Sequence, residues 1–203
     1  MEYTYHDGEI IYPDKELTLL DRVVIDFIPH LKIKYVIVSG YVAILFGRSR
    51  NTEDVDIFIE EVGYTSFSKI YHDITESGKY YCINAEDSKD AYELLREKIA
   101  LRFAEKNTET PNFEIKFPQN ELNSYSLEHA ITVRLNGKYL IRIGPLELQL
   151  AYKLYLGSEK DYLDATHLYE VFKPIIDKEE LRGYLIRLHI KTSTVKKILG
   201  DNI

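Results

Sequence analysis

The chain has no tryptophan, one cysteine, one methionine and six prolines in 203 residues. A lone cysteine, Cys82, excludes a disulfide framework and a cysteine-based zinc site. Its place in the apolar run Tyr80-Tyr81-Cys82-Ile83 makes it a packed thiol rather than a nucleophile. No Pro/Gly-rich linker, repeat or low-complexity tract divides the chain. Long apolar runs are missing as well: the longest uncharged one, Tyr35 to Gly47, falls short of the roughly 20 residues that span a bilayer, so no membrane is expected as a partner. The opening Met-Glu-Tyr-Thr-Tyr-His-Asp has neither the basic flank nor the apolar stretch of a secretory signal, and a cytoplasmic location is expected. A net charge of -7 argues against a surface covered in phosphate contacts. The histidines, His6, His30, His72, His129, His167 and His189, show no metal-ligand spacing, and neither a Ser or Cys nucleophile motif nor a complete Walker loop is present.

What remains is pattern. Apolar residues at helical spacing predict an amphipathic helix over 15–30, a second over 65–77 and a longer one over 86–105 with Tyr92, Leu95, Ile99 and Phe103 on one side. Short strands are expected at 80–83 and, by strict alternation, at Phe113-Glu114-Ile115-Lys116-Phe117. Ile131 to Leu135 and Lys138 to Ile143 flank Asn136-Gly137, a strong hairpin signal, so the sheet is mixed or antiparallel there. From Pro145 the pattern is helical, with Gly157 as a stop and Ser158 as a new N-cap followed by Asp161. The chain thus divides near residue 145 into an α/β core, 1–144, and a helical region, 145–203, packed on it.

The most informative stretch is 36–59: an apolar strand, a turn at Ser39-Gly40, a short helix, a polar loop holding Arg50 and Thr52, and a strand carrying Asp54 and Asp56. Alternation puts both carboxylates on one face while Val55, Ile57 and Ile59 bury the other. Two such charges about 6–7 Å apart repel by roughly 2–3 kcal/mol at an effective dielectric near 20, so a cation is their natural partner. Magnesium suits carboxylate and phosphate oxygens, and two ions about 3.5–4 Å apart are the usual apparatus of nucleotidyl transfer. Gly40 permits close approach to a phosphate, and Arg50 and Thr52 offer a guanidinium and a hydroxyl to a triphosphate.

Ser39-Gly40, Ala43, Gly47, Arg50, Thr52, Asp54 and Asp56 resemble the signature of the DNA polymerase β-type nucleotidyltransferase superfamily, and more closely that of AbiEii-like nucleotidyltransferases. A downstream stretch, Lys153 followed by Lys160-Asp161-Tyr-Leu-Asp164, resembles the Lys and Lys-Asp-x-x-Asp motif of these proteins. The resemblance implies an α+β fold: a small mixed β-sheet nucleotidyltransferase core with flanking helices and a C-terminal helical region. It implies Asp54, Asp56 and a third carboxylate, offered here by Glu114, as catalytic residues and ligands of two magnesium ions. Ser39, Gly40, Arg50, Thr52, Lys153, Lys160 and Asp161 are then the nucleotide-binding residues. Ser39 replaces the first glycine of the usual pair, so its backbone is either ordinary or strained, and Lys116 competes as a salt-bridge partner of Glu114.

The expected activity is transfer of NMP from an NTP, ATP among them, to an acceptor hydroxyl. Relatives modify RNA or tRNA, proteins or small molecules, and a toxin with an antitoxin partner is one form this takes. Arg182, Arg187, Lys191, Lys196 and Lys197, uninterrupted by acids, favour RNA. The alternatives are a small-molecule nucleotidyltransferase or a non-catalytic nucleotide-binding module that keeps the fold.

Overall fold

The computed structural model describes residues 2–201 and 203. In chain order its elements are β1 (Thr4–His6), β2 (Glu9–Tyr12), α1 (Leu19–Phe27), β3 (Tyr35–Val38), α2 (Gly40–Leu45), β4 (Asp54–Ile59), α3 (Tyr64–Thr75), β5 (Tyr80–Cys82), α4 (Ser88–Arg96), β6 (Leu101–Glu105), β7 (Asn112–Lys116), α5 (Glu121–Glu128), β8 (Ile131–Leu135), β9 (Tyr139–Ile143), α6 (Leu146–Leu156), α7 (Glu159–Phe172), α8 (Lys178–Arg187) and α9 (Thr192–Leu199).

Local chemistry sets the boundaries. Helix α1 starts later than its periodicity suggests because Thr18 caps it, accepting from the Asp21 amide while the Asp21 carboxylate takes the Thr18 amide. The helix expected over 86–105 is two elements. It ends at Arg96 with Lys98 in the left-handed region at φ 65°, and Leu101–Glu105 is strand β6. Ile99 and Phe103 continue the spacing of Tyr92 and Leu95, which hid a period of two beneath one of 3.6. The Asn136-Gly137 hairpin forms as read, both residues at positive φ. Gly157, left-handed at φ 70°, stops α6, and the Ser158 hydroxyl caps α7 by accepting from the Asp161 amide.

All the strands join one mixed sheet in the order β1-β2-β8-β9-β3-β4-β7-β6-β5. At its centre β4 runs antiparallel to β3 and parallel to β7, with Val38 opposite Asp56 and Asp56 opposite Glu114. Residues directly opposite share a face. Val55, Ile57, Phe113 and Ile115 therefore point together into the core, where the Phe27 ring of α1 stacks on Phe113 with centroids 3.7 Å apart and meets Tyr80 edge-on at 5.0 Å. Asp56, Glu114, Phe58 and Lys116 share the other face. Helix α5 packs on that side against β3 and β4, while α7 packs on α2, α6 and α9. Fully buried Asp21 ties α1 to α2: Lys15 Nζ lies 2.9 Å from it and the Tyr41 hydroxyl donates to it at 2.9 Å. Among the described residues no helix is long and apolar enough to cross a membrane.

Candidate active site

Two charged clusters flank the Ser39-Gly40 turn. The first lies on the acid face of the sheet. Alternation along β4 leaves Asp54 and Asp56 partly exposed on one side, and the parallel register of β7 sets Glu114 beside Asp56. Lys116, two residues further on the same face, places Nζ 2.7 Å from Asp56 Oδ1 and 2.8 Å from Glu114 Oε2. Burial pulls the Lys116 ammonium toward neutrality, but the Asp56 and Glu114 charges outweigh it and hold its pKa above the ordinary lysine value. Arg102 on β6 reaches Glu114 from the far side at 3.3 Å. Among the described residues the Asp54 side chain takes only a hydroxyl, donated by Thr52 at 3.2 Å.

The second cluster is made by the helical region. Asp164 on α7, fully buried, binds Lys153 Nζ of α6 at 2.9 Å, Arg50 at 2.5 Å and Arg48. Asp161, one turn earlier, binds Lys153 Nζ at 2.9 Å and receives the Ser158 hydroxyl at 2.5 Å. Three cations thus face two carboxylates, a surplus of one positive charge. Lys153 Nζ donates to Asp161 and pairs with Asp164, and an ammonium carries three N–H donors. Burial alone would raise the Asp161 pKa, yet the Ser158 hydroxyl and Lys153 bring it below the ordinary carboxylate value. The sign follows. A carboxyl depressed in the folded state stabilises fully above its unfolded value near about 3.9, and this is lost as pH falls through the folded value. The difference in urea midpoint between wild type and Asp161→Asn is therefore expected to be largest at neutral pH and to shrink below about pH 4. A gap that stays constant down to pH 2 would contradict it.

Between the clusters the turn is strained at Ser39, not at Gly40. Ser39 sits at φ 67° and ψ -135°, which costs a non-glycine residue of order 1–3 kcal/mol. Ser39→Gly is expected to raise the denaturant midpoint, by about 1 kcal/mol of stability, and an unchanged or lower midpoint would show that the turn is relaxed. Gly40 is required for another reason. It is buried, and a Cβ there would lie 3.1 Å from Arg50 Nη1, so the absent side chain lets the guanidinium lie flat on the turn. Gln149 of α6 holds the turn from beneath, accepting from the Ser39 amide at 3.2 Å, while its Nε2, buried, has no hydrogen-bond partner among the described residues. A cavity of about 210 Å³ opens here, lined among others by Ser39, Asp56, Phe58, Gln149, Tyr152 and Lys153.

The structure thus gathers Asp54, Asp56 and Glu114 on one sheet face, with Thr52 on Asp54, and Arg50, Lys153 and Asp161 in the cluster across the turn. Lys160 stands apart, exposed on the first turn of α7 with no ion pair among the described residues. Sequence reasoning passed over Arg48 and Gln149. An arginine in a polar loop carries no signal, but an amide between Leu148 and Leu150, on a helix buried continuously from Leu146 to Ala151, is one.

Similar architecture is found in an antigenic nucleotidyltransferase-like protein from Paracoccidioides brasiliensis, at a TM-score of 0.50 and 18% identity over 87% of this chain and 88% of that one. The fold is nucleotidyltransferase-like. An H. pylori protein assigned as a candidate nucleotidyltransferase aligns at a TM-score of 0.45 and 14% identity, over 92% of this chain and 88% of that one. No protein-family model and no curated protein matches the chain. On this nucleotidyltransferase-like scaffold the acids stand on adjacent central strands and the turn precedes them.

Proposed function

We propose that the chain is a magnesium-dependent nucleotidyltransferase that moves NMP from an NTP to an acceptor hydroxyl. The observation that carries this is the pairing of Asp56 with Glu114 across β4 and β7, at a cavity that also reaches Ser39 and Lys153. Asp54 and the free oxygen of Asp56 form a donor set of the kind a hard divalent ion takes, oxygen-only and negatively charged. When bound, such an ion supplies charge neutralisation and a template for the phosphates. The chain's own groups supply the rest. The Lys153 ammonium and the surplus positive charge it shares with Arg48 and Arg50 attract the triphosphate tail. Glu114 takes the proton of the acceptor hydroxyl after releasing Lys116, the hydroxyl attacks the α-phosphorus in line, and pyrophosphate departs.

Labelled NTPs offered with magnesium and three acceptor pools, bulk tRNA, cellular protein and small polyhydroxy compounds, test this by label transfer and pyrophosphate release. Metal-dependent NTP binding without pyrophosphate release in any pool would overturn it in favour of the non-catalytic module, the reading that the Lys116 bridge supports. For the acceptor, the basic tail is less bare than its sequence. Arg182 pairs with Glu179, Arg187 with Glu121 and Lys196 with Asp201, leaving Lys191 and Lys197 without an ion pair among the described residues. This weakens the electrostatic footprint for RNA and supports a protein or small-molecule acceptor, a toxin's target among them. An RNA acceptor would instead show transfer that falls steeply with salt.

A further inference from the structure

We infer that the acid face takes one divalent ion and that Lys116 stands where a second would sit, an assignment that rests on the nucleotidyl transfer proposed above. The Lys116 ammonium lies between Asp56 Oδ1 and Glu114 Oε2 at 2.7 and 2.8 Å, on the carboxylates that would have to hold a second ion. A magnesium ion bound to both at about 2.0–2.1 Å would claim nearly the same volume. The placement is built into the sheet. Lys116 follows Glu114 by two residues on one strand, so alternation returns it to the same face, and the register sets it opposite Phe58, two residues beyond Asp56 on β4.

The donor sets divide accordingly. Asp56 gives Oδ1 to Lys116 and keeps Oδ2, and Asp54 has only the Thr52 hydroxyl as a side-chain partner among the described residues. These two acids remain for an ion, whereas both oxygens of Glu114 are taken, one by Lys116 and one by Arg102. Among the described residues no three acids, histidines or cysteines converge as a metal cage. Charge leads the same way: Asp54, Asp56 and Glu114 carry three negative charges, Lys116 and Arg102 two positive ones, and one divalent ion already overbalances the remainder. Held on Asp56 when Glu114 lets it go to take the proton, the Lys116 ammonium then gives the acceptor side a positive charge that needs no ion from solution.

Titration with Mn2+ alone, followed by electron paramagnetic resonance, tests this without turnover. Wild type is expected to bind one Mn2+ per chain, Lys116→Met two, with a spin-coupled signal, and the charge-keeping Lys116→Arg one. Melting by circular dichroism establishes that each variant is folded. Two ions in wild type, or one in Lys116→Met, would overturn the inference while leaving metal-dependent transfer standing. No ion in either chain would overturn both.

Discussion

Nucleotidyl transfer by Asp54→Asn or Asp56→Asn is expected to fall at least about 100-fold below wild type, with the fold essentially unchanged. The size follows from the role proposed for the acids, preorganised negative charge beneath a bound metal and phosphate, since removing one such electrostatic group costs about 10²–10³ in rate. The fold is spared because neither side chain is a packing element. Asp56 and Asp54 are partly exposed, Val55 and Ile57 carry the burial of the strand, and an amide keeps the size of the carboxyl. Asp56→Asn also leaves Lys116 with Glu114, so no ammonium is stranded. Stability should shift by less than about 1 kcal/mol, as expected for exposed charge changes. The two variants differ in one respect. Among the described residues no ion pair reaches Asp54, so its loss should affect the proposed ion site alone, whereas the loss of Asp56 also frees Lys116 to bind Glu114 more tightly. Label transfer at wild-type rates in either variant, with a magnesium-dependent wild type as reference, would remove the aspartates from the chemistry.

Asp164→Asn should do the opposite, unfolding the protein far more readily. Asp164 is fully buried and meets Arg48, Arg50 and Lys153. Its neutralisation leaves three cations around the single charge of Asp161, with only 14%, 10% and 3% of the Arg48, Arg50 and Lys153 side chains exposed. Breaking a buried ion pair on one side costs about 3–5 kcal/mol, because the stranded charge remains desolvated. For a chain of this size that lowers the melting temperature by roughly 6–20 °C. Calorimetry measures it, and a shift of under 2 °C would show that the arginines reach solvent freely. Lys160→Ala is the matched control on the same helix, with an expected change near zero because the residue is exposed and has no ion pair among the described residues.

These two carboxylates also mark what a sequence can reveal. The aspartates of β4 were legible because a period of two between isoleucines and valines admits one arrangement only, and the Asn-Gly hairpin and the Ser158 cap because their chemistry is local. Asp164 was legible as a motif member but not as a hub, since its partners Arg48 and Arg50 lie 116 and 114 residues away. The approach of Lys116 to Asp56, across 60 residues, depends on β7 pairing parallel with β4, and strand order is a property of the whole sheet rather than of either segment. The strain at Ser39 was legible as an alternative, and the backbone resolves it toward the strained form. Strand β6 was lost because its apolar residues satisfy two periods at once, and only the left-handed Lys98 separates them.

Asp164 also bears on how this protein can be cut. It belongs to the tail, yet it balances both guanidiniums of the loop ahead of the acid strand. Severing the chain between Ile143 and Leu146 would strip those arginines of their counter-charge and lay open the flank of α2 in a single stroke. Neither fragment should then be self-sufficient, and split or truncated versions should recover a working shape only when both pieces are supplied together.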